Sequence, residues 1–321
     1  MLRCARAVVL TGAFLLLAQP AAGQAAPTVF PVRIFAPDGS ELAGSLTVPA
    51  GTPNRVALLV THGAGGNYQS SVPGWLGGEA ARFGFTTLSL NRRDHDDQNV
   101  RTTFEDGLTD IRLGVDYLEQ LGYRAVVLVG HSKGTTYLPT YAVAMGDRRV
   151  VALALLGAID DSALQQRLIV QRGVFEENLA RAQAAYAASR ADEVIDFPSA
   201  FGQPIRLTAR GFLSYFGPDS FGVPIRMLPL VSVPVLLLRS STDTQFTPDE
   251  NHQRLLAAGR AAGITIDYVV VTDPQPTRAP ALGHSFVGVE AATAAALVNW
   301  LERVVPFAHQ PNPQALRPAA P

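Results

Sequence analysis

The run Ala125-Val126-Val127-Leu128-Val129 leads without a break into Gly130-His131-Ser132-Lys133-Gly134. An unbroken apolar run rich in β-branched residues reads as a strand buried on both faces. A strand that ends in Gly-x-Ser-x-Gly and passes into a helix, expected here over 135–145, is a nucleophile elbow. The serine sits on a strained turn, and a Cβ at either flanking glycine would strike a neighbouring strand or helix. The turn raises the serine Oγ above the sheet and aims the next backbone N–H at the same point. The pentapeptide alone is short enough to arise by chance. Its setting between strand and helix gives it weight.

Outward from this stretch the same rhythm continues. Residues 29–35 and 42–48 read as two strands around the turn Pro37-Asp38-Gly39, and 56–60 as another doubly buried strand. A helix near 76–83, a strand over 86–91 and a helix over 104–121 follow. Leu108, Ile111, Val115 and Leu118 of that helix fall near one face. A strand at 150–156 comes after the elbow helix. Such alternation predicts an α/β fold, with a mostly parallel central sheet flanked by helices. Between 158 and 231 the rhythm lapses: 164–190 is alanine-rich and helical, and 192–230 is irregular, with Pro198, Pro204, Pro218 and Pro224. We read it as a cap inserted over the C-terminal edge of the sheet. Strands at 234–239 and 264–271 and helices at 249–262 and 285–304 resume the pattern. The domain is therefore expected over 27–305, and the proline-rich 306–321 as a flexible tail with nothing to pack.

A chain of 321 residues with 47% hydrophobic and 17% charged residues can bury a substantial core. A net charge of −1 gives no reason to propose nucleic acid or a membrane surface as partner. Arg3 and Arg6, an apolar core over 7–18 closed by Pro20, and Ala21-Ala22-Gly23 read as an export signal over 1–25. That apolar core is too short for stable membrane insertion. The expected location is periplasmic or secreted. Cys4, the only cysteine, falls inside the signal, so no disulfide is expected. Lys133 is the only lysine, which we read as coding bias toward arginine.

A serine hydroxyl is a poor nucleophile unless a base takes its proton, and the base needs an acid to hold its tautomer. Of the six histidines, His309 lies in the tail and His252 inside a helix. His131 belongs to the elbow, with its side chain expected to point away from the serine, and His95 to the acidic loop Asp94-His95-Asp96-Asp97. His62 opens the glycine-rich loop His62-Gly63-Ala64-Gly65-Gly66. His284 alone sits after the last strand and just before the last helix, between Gly283 and Ser285. It is the candidate base, and Ser132 the candidate nucleophile. Asp243, in Ser240-Ser241-Thr242-Asp243 after the strand that resumes the sheet, is the candidate acid. Asp249 and Glu250 are fallbacks that suit a helix N-terminus, and Asp160 and Asp161 are a second pair. The oxyanion of acyl transfer needs two converging donors. The N–H of Lys133 supplies one; the N–H of Ala64, with Gly65 next, supplies the other, since the glycines let the backbone approach closely. Gly65, His95, Tyr215 and Phe216 are candidate substrate contacts, the two aromatics as an acyl pocket in the cap with Phe221. Four consecutive residues, Asp94 to Asp97, cannot all face one metal ion, and their loop is expected to be solvated.

Gly130-His131-Ser132-Lys133-Gly134, the His62-Gly63 loop, Asp243 and Gly283-His284 together resemble the α/β-hydrolase superfamily, over about 29–304 and in its order of serine, acid, histidine. The stretch 37–67 resembles the exported esterase and dienelactone-hydrolase-like branches. The elbow residue is serine where dienelactone hydrolases typically carry cysteine and haloalkane dehalogenases carry aspartate. The resemblance implies ester or amide hydrolysis without a metal or organic cofactor and names no substrate; a small-molecule ester is the expected one. Activity should fall on acidification, as the base becomes protonated. A peptidase or acyltransferase would use the same triad, and a non-catalytic binding protein could share the fold.

Overall fold

Strands β1 (Thr28–Phe35) and β2 (Glu41–Val48) pair antiparallel. Their turn uses Gly39 at φ +86°, a conformation glycine adopts without steric cost. The computed structural model describes residues 25–97, 100–169, 172–198, 204–316 and 318, so the export signal expected over 1–25 lies outside them except for its last residue. After the hairpin come β3 (Val56–Thr61), α1 (Ser71–Ala81), β4 (Thr86–Leu90), α2 (Phe104–Gln120), β5 (Ala125–His131), α3 (Gly134–Met145) and β6 (Val150–Leu156). The capping segment holds α4 (Ser162–Ile169), α5 (Arg172–Ala187), β7 (Val194–Phe197), β8 (Ile205–Thr208), α6 (Ala209–Phe216) and α7 (Pro224–Met227). Then follow β9 (Val235–Ser240), α8 (Asp249–Ala261), β10 (Ile266–Val271), α9 (Pro280–His284) and α10 (Glu290–Val304). No described helix is long and apolar enough to cross a membrane.

Eight strands form one sheet in the order β1-β2-β4-β3-β5-β6-β9-β10. β2 joins β4 antiparallel, and from β4 to β10 every pairing is parallel. The period-two alternation along β5 divides its side chains between two cores. Val126 and Leu128 face one way, with Leu59, Leu153 and Leu237, and pack on Ile111, Val115, Tyr137 and Leu255 of α2, α3 and α8. Val127 and Val129 face the other way, with Leu58, Leu236 and Leu238, onto Leu76 of α1 and Leu297, Trp300 and Leu301 of α10. Helix α2 starts at a reciprocal cap: Thr103 accepts from the Asp106 N–H, while the Thr103 N–H donates to the Asp106 carboxylate at 2.8 Å.

Three sequence expectations change. The single helix over 164–190 is two, α4 and α5, and the irregular stretch over 192–230 contains the β7–β8 hairpin and α6 and α7. Phe197 stacks on Phe212 with ring centroids 4.2 Å apart, and Phe175 lies 6.3 Å from Phe212; these contacts between distant segments organise the cap. The tail does pack. The Arg55 N–H donates to Gln310 O and the Asn312 N–H to Pro53 O, both at 2.7 Å, and the Leu316 N–H donates to Leu121 O at 2.9 Å. His309 meets the edge of Phe85 at 5.0 Å. Proline lacks a donor, but a proline-rich extended segment keeps its carbonyls, and here it docks through them and through the donors between its prolines.

Candidate active site

Ser132 has φ +51°, a left-handed conformation that costs a non-glycine residue about 1–3 kcal/mol and persists only where the surroundings impose it. The neighbouring glycines are imposed sterically. A Cβ on Gly130 would lie 2.7 Å from Gly134 O, and one on Gly134 would lie 2.7 Å from His62 O. The Ser132 N–H donates to Leu156 O at 3.0 Å, anchoring the turn to the end of β6. Gly63 approaches so closely that a Cβ there would stand 3.0 Å from the Ser132 Cβ, which puts the glycine-rich loop against the serine.

His284 closes the short helix α9 rather than lying in a bare loop. Its Nδ1 donates to Asp243 Oδ2 at 2.7 Å, and both side chains are buried. Thr247 orients the carboxylate from the far side, with its N–H on Oδ1 at 3.1 Å and its hydroxyl on Oδ2. Burial would raise the Asp243 pKa, but the bonds and charge of His284 and the bonds from Thr247 outweigh it and hold the carboxyl below its ordinary value. Phe246 stacks on the His284 imidazole at 5.1 Å and 23°. Gly157, one residue past the carbonyl that anchors Ser132, abuts the same ring. His131 also reaches this loop: its Nε2–H donates to His284 O at 2.9 Å, and its Nδ1 accepts from the Ser71 hydroxyl at 3.4 Å. The elbow is therefore tied directly to the segment that carries the imidazole. With Nδ1–H committed to Asp243, the neutral ring presents Nε2 as a proton acceptor.

The fallback acids have other partners. Asp160 pairs with Arg254, Asp161 caps the start of α4 through the Leu164 N–H, Asp249 accepts from the Tyr268 hydroxyl, and Glu250 is exposed.

Ala64 and Gly65, which follow Gly63 in the loop, are exposed, with Gly65 at φ +62°. The base of their loop is held from β4. The Arg92 N–H donates to His62 Nε2 at 3.0 Å, and Arg92 Nη1 donates to His62 O at 2.8 Å and to the Thr61 hydroxyl. His62 Nδ1–H donates in turn to Gly63 O at 2.8 Å. Burial, reinforced by the Arg92 charge, pushes the His62 pKa down to about 3, so the ring is neutral.

The loop after β4 is not uniformly solvated. Asp94 turns inward, its side chain only 8% exposed, and meets Lys133 Nζ at 2.8 Å. His95 is partly exposed and pairs with Asp96 at 2.8 Å. The expected acyl pocket also changes. Tyr215 is buried; its ring lies 4.1 Å from Lys133 Nζ and its hydroxyl donates to Thr103 O at 3.1 Å. Phe216 packs on Phe212 and lines a separate cavity of about 150 Å³ with Asp161, Leu179 and Arg226. Phe221 is half exposed. Gly157, Phe246, Thr247, Asp94 and His131 carry site geometry that the sequence reading did not assign, and no local signal singles them out.

A model of the family described as "Alpha/beta hydrolase family" matches residues 57–299. No curated protein matches the sequence. Among solved structures, the chain is similar to the esterase domain of a Rhodothermus marinus protein, at 20% identity and TM-score 0.56 over 86% of this chain and 98% of that one. It is similar to Est1E from Butyrivibrio proteoclasticus, at 17% identity and TM-score 0.62 over 86% of this chain and 99% of that one. It also resembles the acylaminoacyl peptidase of Pyrococcus horikoshii, at 14% identity and TM-score 0.58 over 89% of this chain and 43% of that one. At these identities the likeness is one of fold.

Proposed function

The chain belongs to the alpha/beta hydrolase family, and from that premise we propose that it is a serine hydrolase cleaving carboxylic esters through an acyl-enzyme. The observation that carries this reading is the 2.7 Å bond from His284 to Asp243, on a segment that His131 of the elbow, next to Ser132 at φ +51°, meets at 2.9 Å. Ser132 Oγ attacks the acyl carbon and its proton passes to His284 Nε2. The N–H groups of Lys133 and Ala64 hold the oxyanion. Collapse of the tetrahedral species expels the alcohol, which takes the proton from Nε2. Water then repeats the sequence, giving up its proton to the same nitrogen and releasing the acid and the free serine. Asp243 remains ionised throughout and orients the ring.

An amide substrate is the second reading, favoured by the similarity in fold to the acylaminoacyl peptidase. We also propose that residues 1–25 direct export, which fractionation and N-terminal sequencing of the mature protein would test. The mechanism is tested with a fluorophosphonate probe and p-nitrophenyl esters. Wild type should be labelled and release p-nitrophenol; Ser132→Ala should do neither. Equal labelling of both proteins removes the proposal. Turnover of aminoacyl p-nitroanilides in preference to esters would replace it with the amide reading.

A further inference from the structure

Lys133 is the one lysine in a chain whose lysines and arginines total 26, and it stands directly after Ser132. Its ammonium lies between the Asp94 carboxylate, 2.8 Å away, and the face of Tyr215, 4.1 Å away. A compact ammonium suits such a slot, where the planar fork of an arginine would need more room. Tyr137 donates its hydroxyl to the same Asp94 oxygen at 3.1 Å. On its other side Asp94 faces Arg92, with Nη2 at 3.4 Å from Oδ2 and Nε at 3.1 Å from Oδ1. Arg92 is the residue whose backbone and guanidinium grip the ring and carbonyl of His62. The path is continuous: Lys133, Asp94, Arg92, His62, then Gly63 and Ala64. Its two ends are the residues whose N–H groups would hold the oxyanion.

We propose that Asp94 is a positioning residue that ties the two halves of the oxyanion site together through Lys133 and Arg92. The inference rests on the serine-hydrolase reading and extends it. Burial opposes ionisation of Asp94, yet the charges of Arg92 and Lys133, with the bond from Lys133, hold its carboxyl well below the usual range. The brace is therefore charged wherever the enzyme would work. A buried cation, Arg92, and a partly buried one, Lys133, share one carboxylate. Removing its charge leaves them to repel, and the Lys133 turn and the His62 loop lose their common tether. An oxyanion site works because its donors are aimed before charge develops, so a loosened tether should weaken the transition state more than the substrate complex.

The test uses full-length Asp94→Asn, Lys133→Met and the double variant, each checked for folding by near-UV circular dichroism. Turnover of a short-chain p-nitrophenyl ester is read beside affinity for a trifluoromethyl ketone, which forms an oxyanion on the serine. In Asp94→Asn, kcat should fall about 10- to 100-fold, short of or equal to the loss of one direct donor, with KM changed less than about twofold. Trifluoromethyl ketone affinity should fall in parallel. Lys133→Met should behave alike, and the double variant should be no worse than about twofold below the weaker single, because both cut one path. Lys133→Met keeps the test decisive if Asp94→Asn does not fold. Unchanged kcat in a folded single variant, or an effect confined to KM, overturns the brace while wild-type fluorophosphonate labelling leaves the hydrolase reading standing. A wild type that resists labelling removes both.

Discussion

Gly157 sets how near the sheet can come to the His284 imidazole. It has φ +60°, and a Cβ built on it would lie 3.1 Å from His284 Cε1 and 3.2 Å from Nδ1. An alanine here faces two penalties: a left-handed backbone costing about 1–2 kcal/mol and a methyl that must displace a ring already held by Asp243 and Phe246. Shifts near 1 Å in a reacting group can cost about 100-fold in rate. The ring need give only by a few tenths of an ångström, so Gly157→Ala should fold, melt slightly lower, and lose about 3- to 10-fold in kcat. A folded variant with wild-type kcat would show that the ring has slack. This glycine also marks the limit of sequence reading at the site. Ser132 and Asp243 could be chosen as candidates because each follows a recognisable strand, and His284 because it precedes the last long helix. Gly157 acquires meaning only once the ring beside it is placed. The same holds for Lys133 and Asp94, 39 positions apart: an isolated charge beside the nucleophile suggests a local salt bridge, but no local pattern names Asp94 as the partner.

At the scale of elements, the doubly buried strands were legible because a buried parallel strand must be apolar along its whole length. The cap was not, because β7, β8 and α6 are organised by Phe175, Phe197 and Phe212, which meet only in the fold. The C-terminal segment misled for a different reason: composition reports hydrophobicity, whereas this segment docks through its backbone. Deleting 306–321 would strip partners from the Arg55 N–H, Pro53 O and Leu121 O and uncover Phe85. At about 1 kcal/mol per hydrogen bond, the loss should be about 3 kcal/mol. For a domain of this size that lowers Tm by about 6–12 °C. The proposed ester turnover at 25 °C should survive, since no candidate site residue lies in the segment. An unchanged melting curve would mean that the docked tail adds nothing to stability.

Across the whole molecule, three neutral histidines staple the loops at the edge of the sheet where the candidate site lies. His62 accepts from the Arg92 N–H and so joins the β3 and β4 loops. His131 donates to His284 O and joins the elbow to α9. His252 accepts from the Ala158 N–H at 3.1 Å and donates to Pro248 O at 3.2 Å, joining the β6 loop to α8. Burial, first among the causes in each case, pushes their pKa values down to about 3, 3 and 4 respectively. In the unfolded chain an imidazole titrates near ~6.5. Between that value and about pH 4 the unfolded state therefore binds more protons than the native one, and stability falls as pH falls. The depressed carboxylates Asp94 and Asp243 do not contribute in this window, because their stabilisation is lost only as pH falls below the ordinary carboxylate range. By pH 5 each histidine should have cost about 2 kcal/mol, so urea midpoints should drop steeply between pH 7 and pH 5. The slope of unfolding free energy against pH should approach about three protons near pH 5. His252→Gln, which cannot titrate, should reduce that slope by about one proton even if it lowers stability overall. A urea midpoint that does not change between pH 7 and pH 5 would mean these rings are not held neutral by the fold, and that something other than the three staples closes the edge.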